Sequence, residues 1–166
     1  FVVGTGHPMQ TGAVVWVVNG GFVVLGQLPG DASAVASAVS RDGAVVVGSS
    51  TDYSQRSRAF RWTRQTGMEA LPHAPTGMSG AAFGVSGDGD LVVGSSMSAS
   101  GESAVIWDAE HGTRLLETVL GSQFPTDIKG WKLIRATGIS DDGTTIVGYA
   151  TNPRGQTEGW ALRLPD

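Results

Sequence analysis

The chain has 166 residues, 40% of them hydrophobic and 16% charged, which is enough apolar material for one packed domain and excludes a disordered chain. A net charge of −4 argues against general nucleic-acid binding, and the lack of Cys excludes disulfides and a thiolate zinc site. No apolar run approaches the roughly 20 residues that a membrane-spanning helix needs, and the 25 Gly follow no G-X-Y period, so collagen is excluded and frequent tight turns are expected.

The opening, Phe1-Val2-Val3-Gly4, has neither an initiator Met nor a signal peptide, and the expectation is an excised or processed piece. Val2-Val3-Gly4 reads as a strand. Ala13-Val14-Val15-Trp16 is the next, and Asn19-Gly20 turns it into a third at residues 21–25. Asn-Gly and Asp-Gly suit such hairpins because the tight turn types need positive φ, which Gly adopts freely. An Ala-rich strand follows at 34–40, and Asp42-Gly43 turns it into Val45-Val46-Val47-Gly48. After a polar loop come Ala59-Phe60-Arg61-Trp62 and a Gly-led strand at 67–71.

The same four elements recur at 81–86, 91–94, 104–107 and 112–116, with Asp88-Gly89 as the hairpin. An insertion at 117–131, containing Gly121, Phe124 and Pro125, delays the last unit. That unit has strands at 136–140 and 144–148 around Asp142-Gly143, then a degenerate Ala161-Leu162-Arg163-Leu164.

Three segments therefore superpose without gaps: Val39-Ser40-Arg41-Asp42-Gly43, Val85-Ser86-Gly87-Asp88-Gly89 and Ile139-Ser140-Asp141-Asp142-Gly143. The units read as 1–30 (partial), 31–77, 78–129 (with the insertion 117–131) and 130–166 (partial), in a single repeat domain. They hold fourteen strands, grouped three, four, four and three. Four antiparallel strands recurring at about 45 residues is the period of a β-propeller blade, so the expectation is an all-β, propeller-like tandem repeat, incomplete or small. A stacked β-solenoid is the rival, with much shorter rungs. Trp16, Trp62 and Trp107 are expected to repeat one inter-blade packing position. A small closed ring, a pairing with a second copy and membership of a larger propeller all stay open.

These residues resemble the HAF-repeat family of predicted bacterial extracellular proteins, whose unit reads roughly A-x-x-W-x-x-x-x-G, a Leu-Gly strand, then A-x-x-V-S-x-D-G-x-x-V-V-G. The resemblance covers nearly the whole chain, and the segment from Gly130-Trp131-Lys132-Leu133 to Gln156-Thr157-Glu158 is similar to the family's closing repeat. It implies export and an extracellular or cell-surface location. The Ser-x-Asp-Gly strand pair is also similar to the Ser-Pro-Asp-Gly repeat of Tol-Pal-type propellers, which favours blades.

The carboxylates Asp42, Asp88, Asp90, Asp141 and Asp142 read as turn formers, since two carboxylates on a short loop cannot supply the six to eight oxygens calcium takes. His7, His73 and His111 lie in different loops without a short-spaced partner, and no Gly-x-Ser-x-Gly elbow is present. No cofactor or metal is expected. The charge anomaly is residues 53–64, where Arg56, Arg58, Arg61 and Arg64 occur without an acid. Tyr53, Arg56 and Arg58 fall in an inter-strand loop and form the candidate ligand surface, because Arg beside aromatic rings recognises anionic sugars or phosphates.

The expected function is a non-catalytic scaffold or binding module for a glycan, cell-wall or protein ligand, binding no nucleic acid and not spanning a membrane. The alternative is a carbohydrate-active propeller enzyme, with Asp52, Glu102 and Glu158 converging at one axial end.

Overall fold

The computed structural model describes the chain except residues 8–9, 18–19, 124–128 and 165–166, and side chains are further left aside at 6, 7, 10, 11, 122 and 123. Asn19 of the first hairpin, Phe124 and Pro125 thus lie outside the described residues. Among those described, fourteen strands form four antiparallel sheets of three, four, four and three strands, the grouping the turn spacing predicts.

The first sheet is β1 (Val2–His7), β2 (Gln10–Val17) and β3 (Gly21–Gly26). The second is β4 (Asp31–Val39), β5 (Val45–Asp52), β6 (Ser57–Thr63) and β7 (Gly67–Ala70). The third repeats it with β8 (Gly77–Val85), β9 (Val92–Ser98), β10 (Gly101–Asp108) and β11 (Gly112–Leu115). The fourth is β12 (Lys132–Ile139), β13 (Thr145–Thr151) and β14 (Thr157–Arg163). Within each sheet the strands lie side by side in chain order.

The Gly of the Val-Val-Gly motif is a packing requirement. Gly48 pairs with Ala36, Gly94 with Ala82 and Gly148 with Ala136, and in each sheet a register shift follows immediately. The bulge brings the neighbouring strand so close that a Cβ on these glycines would sit 1.9–2.0 Å from the carbonyl oxygen of Val35, Ala81 or Arg135. Only a hydrogen fits there, which explains why three units keep the residue at one register position.

Successive sheets pack face to face and bury three apolar layers. Ala13, Val15, Leu25, Val46 and Phe60 fill the layer between the first and second sheets. Val45, Val47, Ala82, Val105 and Trp107 lie between the second and third. Val93, Ile106, Leu133, Ile146 and Ala150 lie between the third and fourth. Alternation along each strand sends one set of side chains to the sheet before and the other to the sheet after. Phe60 and Trp62 face back while Arg61 points the other way, its guanidinium 3.5 Å from the Gly89 carbonyl.

Two features depart from the sequence reading. The insertion opens with a helix, α1 (Leu116–Gln123), rather than a plain loop. Leu116 and Leu120 are buried and Val119 packs beside them in the third layer, an i, i+3, i+4 stripe that closes the side of the core. The Trp position also does not repeat uniformly. Trp107 is 3% exposed and its Nε1 donates to the Pro72 carbonyl at 2.8 Å, Trp62 is half-buried, and Trp16 is 56% exposed. No described helix is long and apolar enough to cross a membrane.

Candidate functional site

The repeated Ser-x-Asp-Gly turns are built identically. Ser40 Oγ donates to Asp42 Oδ1 at 2.7 Å and accepts from the Val45 amide at 3.0 Å, while the Asp42 carboxylate accepts from the Ala44 amide at 2.9 Å. Ser86 and Asp88 repeat this with the amides of Leu91 and Asp90, and Ser140 and Asp142 with those of Thr145 and Thr144. The Ala44 amide and then the Ser40 hydroxyl hold the Asp42 carboxyl below its ordinary range. For Asp88 the Ser86 hydroxyl is the larger cause, and for Asp142 the Ser140 hydroxyl leads in lowering it to about 2. One oxygen of each carboxylate is thus engaged in closing its own turn. Among the described residues, no three His, Cys, Asp or Glu side chains gather as metal ligands.

The turns also meet each other. The Arg41 amide donates to the Gly87 carbonyl at 3.1 Å, and the Gly87 amide donates to the Asp141 carbonyl at 2.8 Å. The second, third and fourth sheets are therefore joined through equivalent residues of their hairpins. Each turn Gly also lies over the preceding sheet: a Cβ at Gly43 would strike the Phe1 ring, one at Gly89 the Val45 side chain, and one at Gly143 would crowd Leu91.

One group of charged residues that does not repeat gathers at the opposite end of the second sheet. Asp31 opens β4 after a turn in which its amide donates to the Leu28 carbonyl at 3.0 Å and Gly30 takes φ 84°. Its carboxylate is buried, and Arg58, at the start of β6, reaches it with Nη2 2.7 Å from Oδ1 and 3.1 Å from the Pro29 carbonyl. Asp31 Oδ2 is buried without a partner among the described residues. Gly77 and Ser103 occupy the corresponding positions of the third sheet, so this ion pair belongs to the second sheet rather than to the repeat.

Beside it, Asp52 ends β5 and folds the next loop onto itself. Its Oδ1 accepts the amides of Ser54 at 2.8 Å and Arg56 at 2.9 Å, and its Oδ2 lies 3.1 Å from Arg56 Nε. The Arg56 amide is the main cause of a lowered Asp52 carboxyl. Gln55 is forced to φ 64°, where the matching loop of the fourth sheet has Gly155 at φ 80°. Tyr53 projects from the apex, 82% exposed. Asp31, Asp52, Arg56, Arg58, His73 and Met78 line an open cleft of about 380 Å³.

Of the sequence candidates, Arg56 and Arg58 thus share one cleft, with Tyr53 on the adjoining loop tip. Sequence reasoning missed Asp31 and His73 there. The reversal of charge at Asp31, just ahead of an Ala-rich strand, was the available signal, but its pairing across 27 residues was not.

The alternative acids each carry separate partners. Glu102 Oε1 accepts from Arg135 Nη2 at 2.6 Å and from Ser95 Oγ at 2.6 Å, and Glu158 Oε1 accepts from Asn152 Nδ2. His111 Nδ1 lies 3.0 Å from Asp108, and the His7 side chain is outside the described residues.

Two further grooves, of about 580 and 330 Å³, lie at Trp62 and at Trp107. They occupy equivalent places between successive sheets and are seams of the packing. A comparison with protein-family models finds no match to this chain, and neither does a comparison with curated protein sequences.

Proposed function

We propose that the chain is a non-catalytic, propeller-like repeat module of HAF-repeat type, exposed on a bacterial cell surface or outside the cell, that binds a polar ligand at the Asp31–Arg58 cleft. The observation that carries this reading is the division of the charged residues. The Ser-x-Asp-Gly carboxylates that recur from unit to unit close turns, whereas the cleft collects an ion pair absent from the matching positions of the third sheet, the His73 imidazole, and Tyr53 on the adjoining loop tip. Repeat scaffolds acquire binding faces by such local variation.

The cleft chemistry suits a hydroxylated, anionic ligand such as an acidic glycan or cell-wall polymer. Arg56 offers guanidinium hydrogens toward a carboxylate or phosphate, and the exposed Tyr53 ring offers a stacking face for a sugar. The blade reading draws support from sheets of four antiparallel strands stacked at the repeat period.

A glycan array followed by titration calorimetry tests the proposal. Saturable binding of an acidic oligosaccharide, lost in Tyr53→Ala and Arg56→Ala, supports the cleft. An absence of saturable binding refutes the ligand-binding reading and leaves a structural spacer.

A further inference from the structure

We infer that the outer face of the first sheet docks the outer face of the fourth sheet of a second copy of this chain, head to tail. The inference rests on the packing between sheets and is independent of the cleft. All three interior contacts use two complementary sets of positions. The backward-facing set is centred on the third strand, where Trp62 packs in the first layer and Trp107 in the second. The forward-facing set is centred on the second strand, where Val47 and Val93 are each 0% exposed beneath the sheet that follows.

At the two ends of the stack these same positions lie open. Trp16, the backward-facing Trp of the first sheet, is 56% exposed, with Val2 at 63% and Val24 at 41%. Val2 is its cross-strand partner on β1, and Val24 lies on the same face of β3 two residues from its partner there. Val147, the forward-facing Val of the fourth sheet, is 42% exposed. The turn glycines add a second register mark. They rest on Phe1, Val45 and Leu91, each just ahead of the Val-Val or Ile-Val pair of its second strand, and the fourth sheet carries Thr145 at that position.

The first sheet therefore presents the side chains that elsewhere pack on a preceding sheet, and the fourth presents those that elsewhere pack beneath a following one. A second copy supplies both in the register the chain already uses three times. Two copies joined this way at both ends form a closed two-fold pair, whereas copies whose two faces engage different neighbours propagate a row.

Analytical ultracentrifugation of residues 1–166 over a wide concentration range tests this, with circular dichroism confirming that each variant is folded. The expected result is a dimer or larger species that becomes monomeric in Trp16→Asp and equally in Val147→Asp. Mixing the two variants restores a dimer, because each keeps one intact face. Val24→Asp, on the same face as Trp16, gives the same outcome should Trp16→Asp not fold. A monomer at every concentration overturns the inference. So does self-association abolished by Trp16→Asp but untouched by Val147→Asp, since that pattern belongs to two first sheets meeting each other.

Discussion

The Arg41 guanidinium and the Asp141 carboxylate stand 3.0 Å apart, although a hundred residues separate them and a whole sheet lies between their strands in the chain. Both side chains are largely exposed, at 70% and 64%, so the pair adds little by itself. What brings them together is the run of backbone hydrogen bonds through Gly87. Arg41→Ala is expected to cost less than about 1 kcal/mol, with the small loss shrinking further in high salt. Gly87→Ala places a Cβ 2.8 Å from the Asp141 carbonyl oxygen and is expected to cost about 2–3 kcal/mol. Urea melts of the two variants compare these values directly.

One sequence position has three energetic values. Trp107 is buried and hydrogen-bonded, so Trp107→Ala is expected to cost about 3–5 kcal/mol. Trp16→Ala removes an exposed ring and is expected to change the stability of the single chain by about 0.5 kcal/mol or less. Trp62→Ala falls between them. Denaturant midpoints measured at low protein concentration give the order.

Acid is expected to loosen the three hairpins together. Asp42, Asp88 and Asp142 have lowered carboxyl pKa values in the folded chain, against an ordinary value of 3.8. Between the two values the unfolded chain binds more protons, so stability rises with pH there. The contribution is fully present above the unfolded value and is lost as pH falls through the folded one, about 2 for Asp142. Denaturant midpoints between pH 5 and pH 2 (about the span of these carboxyls) should fall steadily, and Asp142→Asn should start lower and fall less.

Arg58 has a structural duty that separates it from Arg56. Removing its guanidinium leaves the Asp31 carboxylate buried without its cation, and Arg58→Met is expected to cost about 3 kcal/mol. The double change Asp31→Asn with Arg58→Met should recover most of that. Arg56→Ala, at an exposed pair, should cost less than about 1 kcal/mol. A double-mutant cycle in urea distinguishes a coupled pair from two independent residues.

Much of this fold was legible because its signals are local. Asp-Gly turns, Val-Val-Gly strands and Ala-x-x-Trp strands each act over a few residues, and their spacing groups fourteen strands into four sheets. The helix at residues 116–123 was harder to see. Its apolar stripe is one turn long and is stabilised by the third layer rather than by helix propensity. The Trp residues show the same limit from the other side: identical motifs at 16, 62 and 107 differ in burial because burial depends on which sheet lies opposite. At the cleft, Arg56 and Arg58 stood out as unpaired cations in the sequence. Asp52 stands only four residues before Arg56 and pairs with it within one loop, whereas Asp31 lies 27 residues from Arg58 and joins it only when the sheet forms.

Equivalent turns of the second, third and fourth sheets are bonded to one another, so that these three units form one continuous structure. Amide hydrogen exchange at Gly87 and Arg41 tests this central claim most directly. Both amides lie at hairpin tips and donate across sheets, so they are expected to exchange as slowly as the amides of the buried strands. Exchange at the rate of the exposed 53–56 loop would contradict the account.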